Sequence, residues 1–110
     1  MVSGLQPPRK AIDVDFLVFL ERNATDLLTL DILTFFGRTP DFVGTTEQIA
    51  QRLGRSSQSI RAELGELALK DVLLKKQLPN GQWRYQLAQS VNVRRMALKL
   101  ASTQPTSRRN

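Results

Sequence analysis

The chain contains no cysteine and no histidine. That inventory excludes a disulfide framework, zinc sites built from thiolate and imidazole, and hydrolytic triads that rely on imidazole. The longest unbroken apolar run is Phe16-Leu17-Val18-Phe19-Leu20, far short of the roughly 20 residues needed to cross a bilayer. No basic stretch, apolar core and small-residue cleavage site open the sequence. A secretory signal is therefore not expected, and the chain reads as soluble and cytoplasmic. The glycines at positions 4, 37, 44, 54, 65 and 81 form neither a dinucleotide fingerprint nor a phosphate-binding loop. Asp13 and Asp15 are surface carboxylates that nothing pins in a cleft. Catalysis, a bound metal and a cofactor are all unexpected.

What is present suits one small domain of 110 residues, with 41% hydrophobic residues to build a core. The net charge of +6 is unevenly placed. Residues 1–54 carry five basic and seven acidic side chains, whereas residues 55–110 carry eleven basic and three acidic. Such asymmetry points to a polyanion or an acidic surface as partner. A solvated basic tail is the plainer explanation, since residues 26–88 alone hold eight basic against seven acidic side chains.

Residues 1–12, with Gly4, Pro7 and Pro8, read as a flexible lead-in; 13–101 as one domain; 102–110 as a disordered basic tail. Asp13 or Asp15 caps a short helix reaching Arg22. A second helix over 25–36 is apolar nearly all round and must be covered on two sides. Gly37 is expected to end it, with Arg38-Thr39-Pro40 barring its continuation. After a short extended piece at Phe42-Val43, Thr45 and Gln48 have the spacing of a capping box. Ile49, Ala50 and Leu53 form the buried stripe of a third helix ended by Gly54. Ser56 caps a fourth, with Ile60, Leu64 and Leu67 turned inward. Asp71, a residue that tolerates the left-handed conformation, marks the exit. Segments 73–78 and 82–87 flank Pro79-Asn80-Gly81, where Asn-Gly predicts a hairpin with positive φ at both positions. Trp83, Tyr85 and Leu87 alternate with polar neighbours, which favours packing of the hairpin onto the fourth helix over base stacking. Ser90 caps a last helix to about Ala101.

The order helix, short strand, helix, tight turn, helix, β-hairpin is the winged helix-turn-helix plan. The stretch 45–64 resembles that superfamily closely. Its usual apolar-Ala pair, Leu-Gly, Ser cap, apolar residue and two following leucines stand here as Ile49-Ala50, Leu53-Gly54, Ser56, Ile60, Leu64 and Leu67. Where the family exits through Gly-Leu, this chain has Asp71-Val72-Leu73. The resemblance spans about 27–87 and is similar to the DNA-binding half of regulators of the multiple-antibiotic-resistance and arsenic-repressor types, with no single family assigned. The helices flanking this stretch match no known dimerisation or effector module. The fold class is thus mainly α with a small β-hairpin wing, a winged helix-turn-helix with extra N- and C-terminal helices.

The resemblance implies binding of double-stranded DNA by a transcriptional regulator or nucleoid-associated protein, with the fourth helix in the major groove. Gln58 would pair with adenine and Arg61 with guanine. Ser57 and Ser59 would meet phosphates, as would Arg55 in the turn. Lys75, Lys76 and Arg84 in the wing would follow the sugar-phosphate backbone, although lysines on a strand edge also serve simply to block stray pairing. Gly65, on the outward face, suits close approach of a ligand or is merely tolerated. A homodimer through the apolar segments Phe16 to Leu20 and Leu27 to Phe36 is expected. The competing reading is a winged-helix protein-protein interaction module that binds no DNA, favoured by Glu63 and Glu66 beside the reading face.

Overall fold

The computed structural model describes residues 13–103; the expected lead-in and most of the expected tail lie outside them. The elements are α1 (Val14–Asn23), α2 (Leu27–Arg38), β1 (Val43–Thr45), α3 (Thr46–Leu53), α4 (Ser57–Leu69), β2 (Leu73–Gln77), β3 (Trp83–Leu87) and α5 (Val91–Thr103). Every helix starts on a side-chain oxygen that satisfies an otherwise orphaned amide. Asp13 accepts from the Phe16 amide at 3.1 Å and Asp26 from Thr29 at 2.8 Å. Ser56 accepts from Ser59 at 3.2 Å and Ser90 from Val93 at 3.3 Å. The capping box at α3 is complete: the Gln48 amide donates to Thr45 Oγ1 at 3.3 Å, and Gln48 Oε1 accepts from the Thr45 amide at 2.9 Å.

Gly37 does not end α2, which runs on to Arg38 with Thr39 as its C-cap. Its role is close approach. A Cβ there would sit 2.1 Å from the Ala97 carbonyl oxygen and 2.9 Å from the Ala101 Cβ. Only glycine lets α2 lie this near α5, and these two helices share the most extensive contact in the chain. The expected cover for the apolar α2 is therefore internal. At its far end α5 continues through Thr103, past the boundary expected at Ala101, with Ser102 and Thr103 hydroxyls donating to carbonyls three residues back.

The three strands form an antiparallel sheet ordered β1-β3-β2. Its hairpin differs from expectation, because only Gly81 of the loop has positive φ, at 90°. Proline holds φ near −65°, so Pro79 and Asn80 take the centre of a turn closed by the Gly81 amide on the Leu78 carbonyl at 2.9 Å. Gly81 then supplies the left-handed residue that restores strand pairing. At the exit of α4, Asp71 takes φ 62° as expected.

Ile60, Leu64 and Leu67 are fully buried, together with Ile32, Leu33, Phe36, Ile49, Leu73, Leu87, Met96 and Leu100. Burying each such side chain contributes about 1.5–3 kcal/mol. The Ile60–Leu64–Leu67 stripe fixes the rotation of α4 about its axis and thereby which residues face water.

Helix α1 is held more lightly. Phe19 is buried, Phe16 and Leu20 pack partly against the core, and Asp13 accepts from Lys99 Nζ at 2.8 Å with Arg95 3.6 Å away. The Lys99 hydrogen bond, then that from the Phe16 amide, hold the Asp13 carboxyl below its ordinary value. A folded-state pKa below the unfolded one gives stabilisation that is intact above the ordinary carboxylate value and is lost as pH falls from there through the lower folded-state value. Acidification should therefore raise hydrogen exchange in α1 before the core opens, and Asp13→Asn should show the raised exchange already at neutral pH. For the helix contact, Gly37→Ala should cost about 3 kcal/mol by overpacking. In contrast Gly65→Ala, whose Cβ would meet nothing within 4 Å, should gain about 1 kcal/mol from helix propensity. Urea denaturation of the two variants checks both signs.

Candidate nucleic-acid interface

With its leucine stripe sunk in the core, α4 leaves Gln58, Ser59, Arg61 and Ala62 exposed along its N-terminal half. Ser57, the first helical residue, is half-buried. Beside this face stands the hairpin, whose register sorts its cations onto two sides. Lys76 pairs directly with Arg84, and Lys75 with Tyr85. Residues opposite one another share a face. Lys76 and Arg84 therefore stand together on one side of the sheet. Lys75 lies on the other, its ammonium 4.6 Å above the Trp83 ring. Trp83, Arg61, Glu47 and Gln82 line a cleft of about 230 Å³ between the hairpin tip and the helices.

Solved structures share this arrangement. The crystal structure of the AntR antimony-specific transcriptional repressor superposes with a TM-score of 0.62 at 19% identity, over 92% of this chain and 94% of that one. A homodimeric winged helix-turn-helix DNA-binding domain from Mycobacterium bovis, described as a possible ArsR-family transcriptional regulator, gives 0.59 at 20% identity over 91% and 89%. A possible transcriptional regulator from Methanosarcina mazei gives 0.59 at 17% identity over 90% and 85%. This chain has the winged helix-turn-helix fold. No family model matches its sequence, and no curated protein does; at these identities the structural likeness is one of fold. In that fold α3 and α4 are the helix-turn-helix, α4 its second helix, and β2–β3 the wing.

The winged-helix frame brings Gln58 and Arg61 onto the open face of α4, with Lys75 on the sheet face of Trp83 and with Lys76 and Arg84 on the opposite one. Two of the expected contacts are already engaged within the chain. Arg55 in the turn donates to Asp31 of α2 at 2.6 Å. The Ser59 hydroxyl donates to the Ser56 carbonyl at 2.8 Å, so its proton is spent inside the first turn. Arg61 Nη2 lies 3.9 Å from Glu47 Oε2. Among the described residues no carboxylate lies within ion-pair distance of Lys75, Lys76 or Arg84. Beneath the face, burial pushes the Tyr85 phenol up, with the Arg61 charge acting against it.

Trp83 does not pack into the core as its alternation with polar residues predicts. It is on the same face as Tyr85 and Leu87, but it lies beyond the core's edge and is 39% exposed. The second of the two expected dimer segments is mostly covered within the chain. Between Leu27 and Phe36 the apolar side chains Ile32, Leu33 and Phe36 are buried, and α2 lies against α5, α4 and α3 of its own chain. Leu27, at the start of α2, remains exposed, as do Leu17 and Val18 within the expected Phe16 to Leu20 segment, Val14 beside it, and Val91 and Leu98 on α5. Among the described residues no helix is long and apolar enough to cross a membrane, and no group of three or more carboxylates gathers where a metal ion could be held.

The carboxylates Asp31 and Glu47 were not legible as partners of Arg55 and Arg61. Asp31 stands on an otherwise apolar helix, and Glu47 reads as an ordinary acidic residue in a first helical turn. The single sequence signal was the near balance of charge across the middle of the chain, which supplies acidic partners without saying which cations take them.

Proposed function

We propose that this protein is a double-stranded DNA-binding transcriptional regulator that reads the major groove with α4 and carries no catalytic activity. The observation that carries this reading is the directly opposed Lys76–Arg84 pair on the wing, without a carboxylate neighbour among the described residues. Like charges facing each other across a hairpin destabilise it. A polyanion lying along the wing converts that cost into attraction. Gln58 and Arg61 carry the side-chain chemistry for adenine and guanine edges, each good bidentate pair giving about 1–3 kcal/mol of discrimination. Lys75, Lys76 and Arg84 supply sequence-blind phosphate contacts, and the free amides at the start of α4, with Ser57, suit a further phosphate. Arg55 joins only when the Asp31 pair opens.

A duplex titration across a salt series tests this. Affinity should fall steeply with salt, by a slope of about 0.9 per phosphate contacted. Joint replacement of Lys75, Lys76 and Arg84 by alanine should weaken all duplexes and flatten the slope, while Arg61→Ala should change sequence preference more than slope. No duplex binding at low salt would leave the protein-interaction reading, to which Glu63, Glu66 and the exposed Leu69 at the far end of α4 are suited.

A homodimer is part of the same proposal, through α1, which holds the expected Phe16 to Leu20 segment, and with α5 in place of most of α2. Val14 is 63% exposed, Leu17 51% and Leu98 61%, on two helices tied by Asp13. Support comes from the apolar character of this face and from the homodimeric state of the M. bovis domain. Two copies related by a two-fold axis would present two recognition helices to a palindromic site. Light scattering should give a dimer mass that Leu17→Asp combined with Leu98→Asp converts to monomer. A monomer mass at every concentration of the unmodified protein would contradict the dimer.

A further inference from the structure

The cleft between wing tip and helices holds a carboxylate for which DNA binding as argued above has no use. Glu47, the second residue of α3, takes no part in the capping box, which Thr45 and Gln48 complete between them. Its side chain reaches outward instead. Oε2 lies 3.9 Å from Arg61 Nη2, and Oε1 accepts from Gln82 Nε2 at 3.4 Å. Gln82 is itself held by Asn80, whose Oδ1 accepts from the Gln82 amide and whose Nδ2 donates to Gln82 Oε1, both at 2.9 Å. One exposed carboxylate thus links the recognition helix to the tip of the wing.

A negative charge here acts unequally on the two things Arg61 can meet. A phosphate approaching Arg61 carries a full charge and is repelled by Glu47. A guanine edge is neutral and offers two acceptors to the guanidinium. We propose that Glu47 is a specificity-determining residue: it withholds Arg61 from phosphates and leaves it to base edges, so that sequence-blind affinity resides in the wing. The inference rests on the DNA reading above.

The test uses a duplex recovered by the unmodified protein from a randomised pool, and a shuffled duplex of the same composition. Affinities of the unmodified protein, Glu47→Gln, Arg61→Ala and the double variant are measured for both across a salt series. Glutamine is isosteric at this exposed position, and thermal melting verifies the fold. The shuffled duplex should bind Glu47→Gln about three- to tenfold more tightly, with a salt slope steeper by up to about one. Gain on the selected duplex should be smaller, so discrimination shrinks, and this shrinkage should vanish in the Arg61→Ala background. Unchanged discrimination overturns the inference, as does an equal effect without Arg61. Loss of affinity for the selected duplex alone also overturns it, since Glu47 would then be reading a base itself. If the unmodified protein binds no duplex, the DNA reading fails and the inference with it; if it binds and discrimination is unmoved, the inference alone fails.

Discussion

The burial of Ile60, Leu64 and Leu67 is the constraint on which the rest of the molecule depends. Three apolar side chains at helical spacing can satisfy one rotation of α4 and no other. Turning the helix to expose any one of them would cost about 1.5–3 kcal/mol. That rotation decides which residues face outward, and so makes Gln58 and Arg61 neighbours on an open surface. Gly37 plays a comparable part on the opposite side. By letting α2 approach α5 to backbone contact, it covers the apolar α2 within one chain and leaves α1 and α5 outermost. Around α4 and the wing the open surface carries Gln58, Arg61 and the wing cations, while α1 and α5 expose Val14, Leu17, Val18, Val91 and Leu98 among charged neighbours.

Charge around α4 and the wing is arranged in two populations. The wing cations stand without carboxylate neighbours among the described residues, whereas two of the three arginines of the helix-turn-helix face one, Arg55 with Asp31 and Arg61 with Glu47; Arg52 lies over the Phe42 ring instead. Exposed pairs of this kind contribute little to stability, about 0–1 kcal/mol each. Their consequence lies in binding. An arginine with a carboxylate beside it engages a ligand only by exchanging one partner for another, which favours ligands with better geometry over those with mere charge. An unpaired wing cation makes no such demand.

Much of the fold was legible because its instructions are local. Caps at Asp13, Thr45, Ser56 and Ser90 act within three residues, the inward stripe of α4 spans two turns, and the Asp71 exit depends on the tolerance of one residue for positive φ. What escaped depends on partners far away in sequence or on competition between neighbours. Gly37 looked like a helix stop because its true partner, Ala97, is sixty residues on. Asn80-Gly81 suggested a two-residue turn, but Pro79 imposed its own φ and moved the turn by one position. Alternation placed Trp83 on the right face of the strand without showing that the core ends before reaching it. At the candidate site, the positions of Gln58 and Arg61 followed from helix period alone. The carboxylates that face Arg55 and Arg61 did not, since α2 and the start of α3 reach the turn and recognition helix only through tertiary packing.

The central claim is that the open face of α4 and the wing contact DNA together. Titration of the isotope-labelled protein with a short duplex, followed through amide chemical shifts, tests it most directly. The account predicts shifts concentrated at Ser57 to Ala62 and along Lys75 to Arg84, with α1 and α5 unmoved. Shifts confined to α1 and α5, with the recognition face silent, would contradict it.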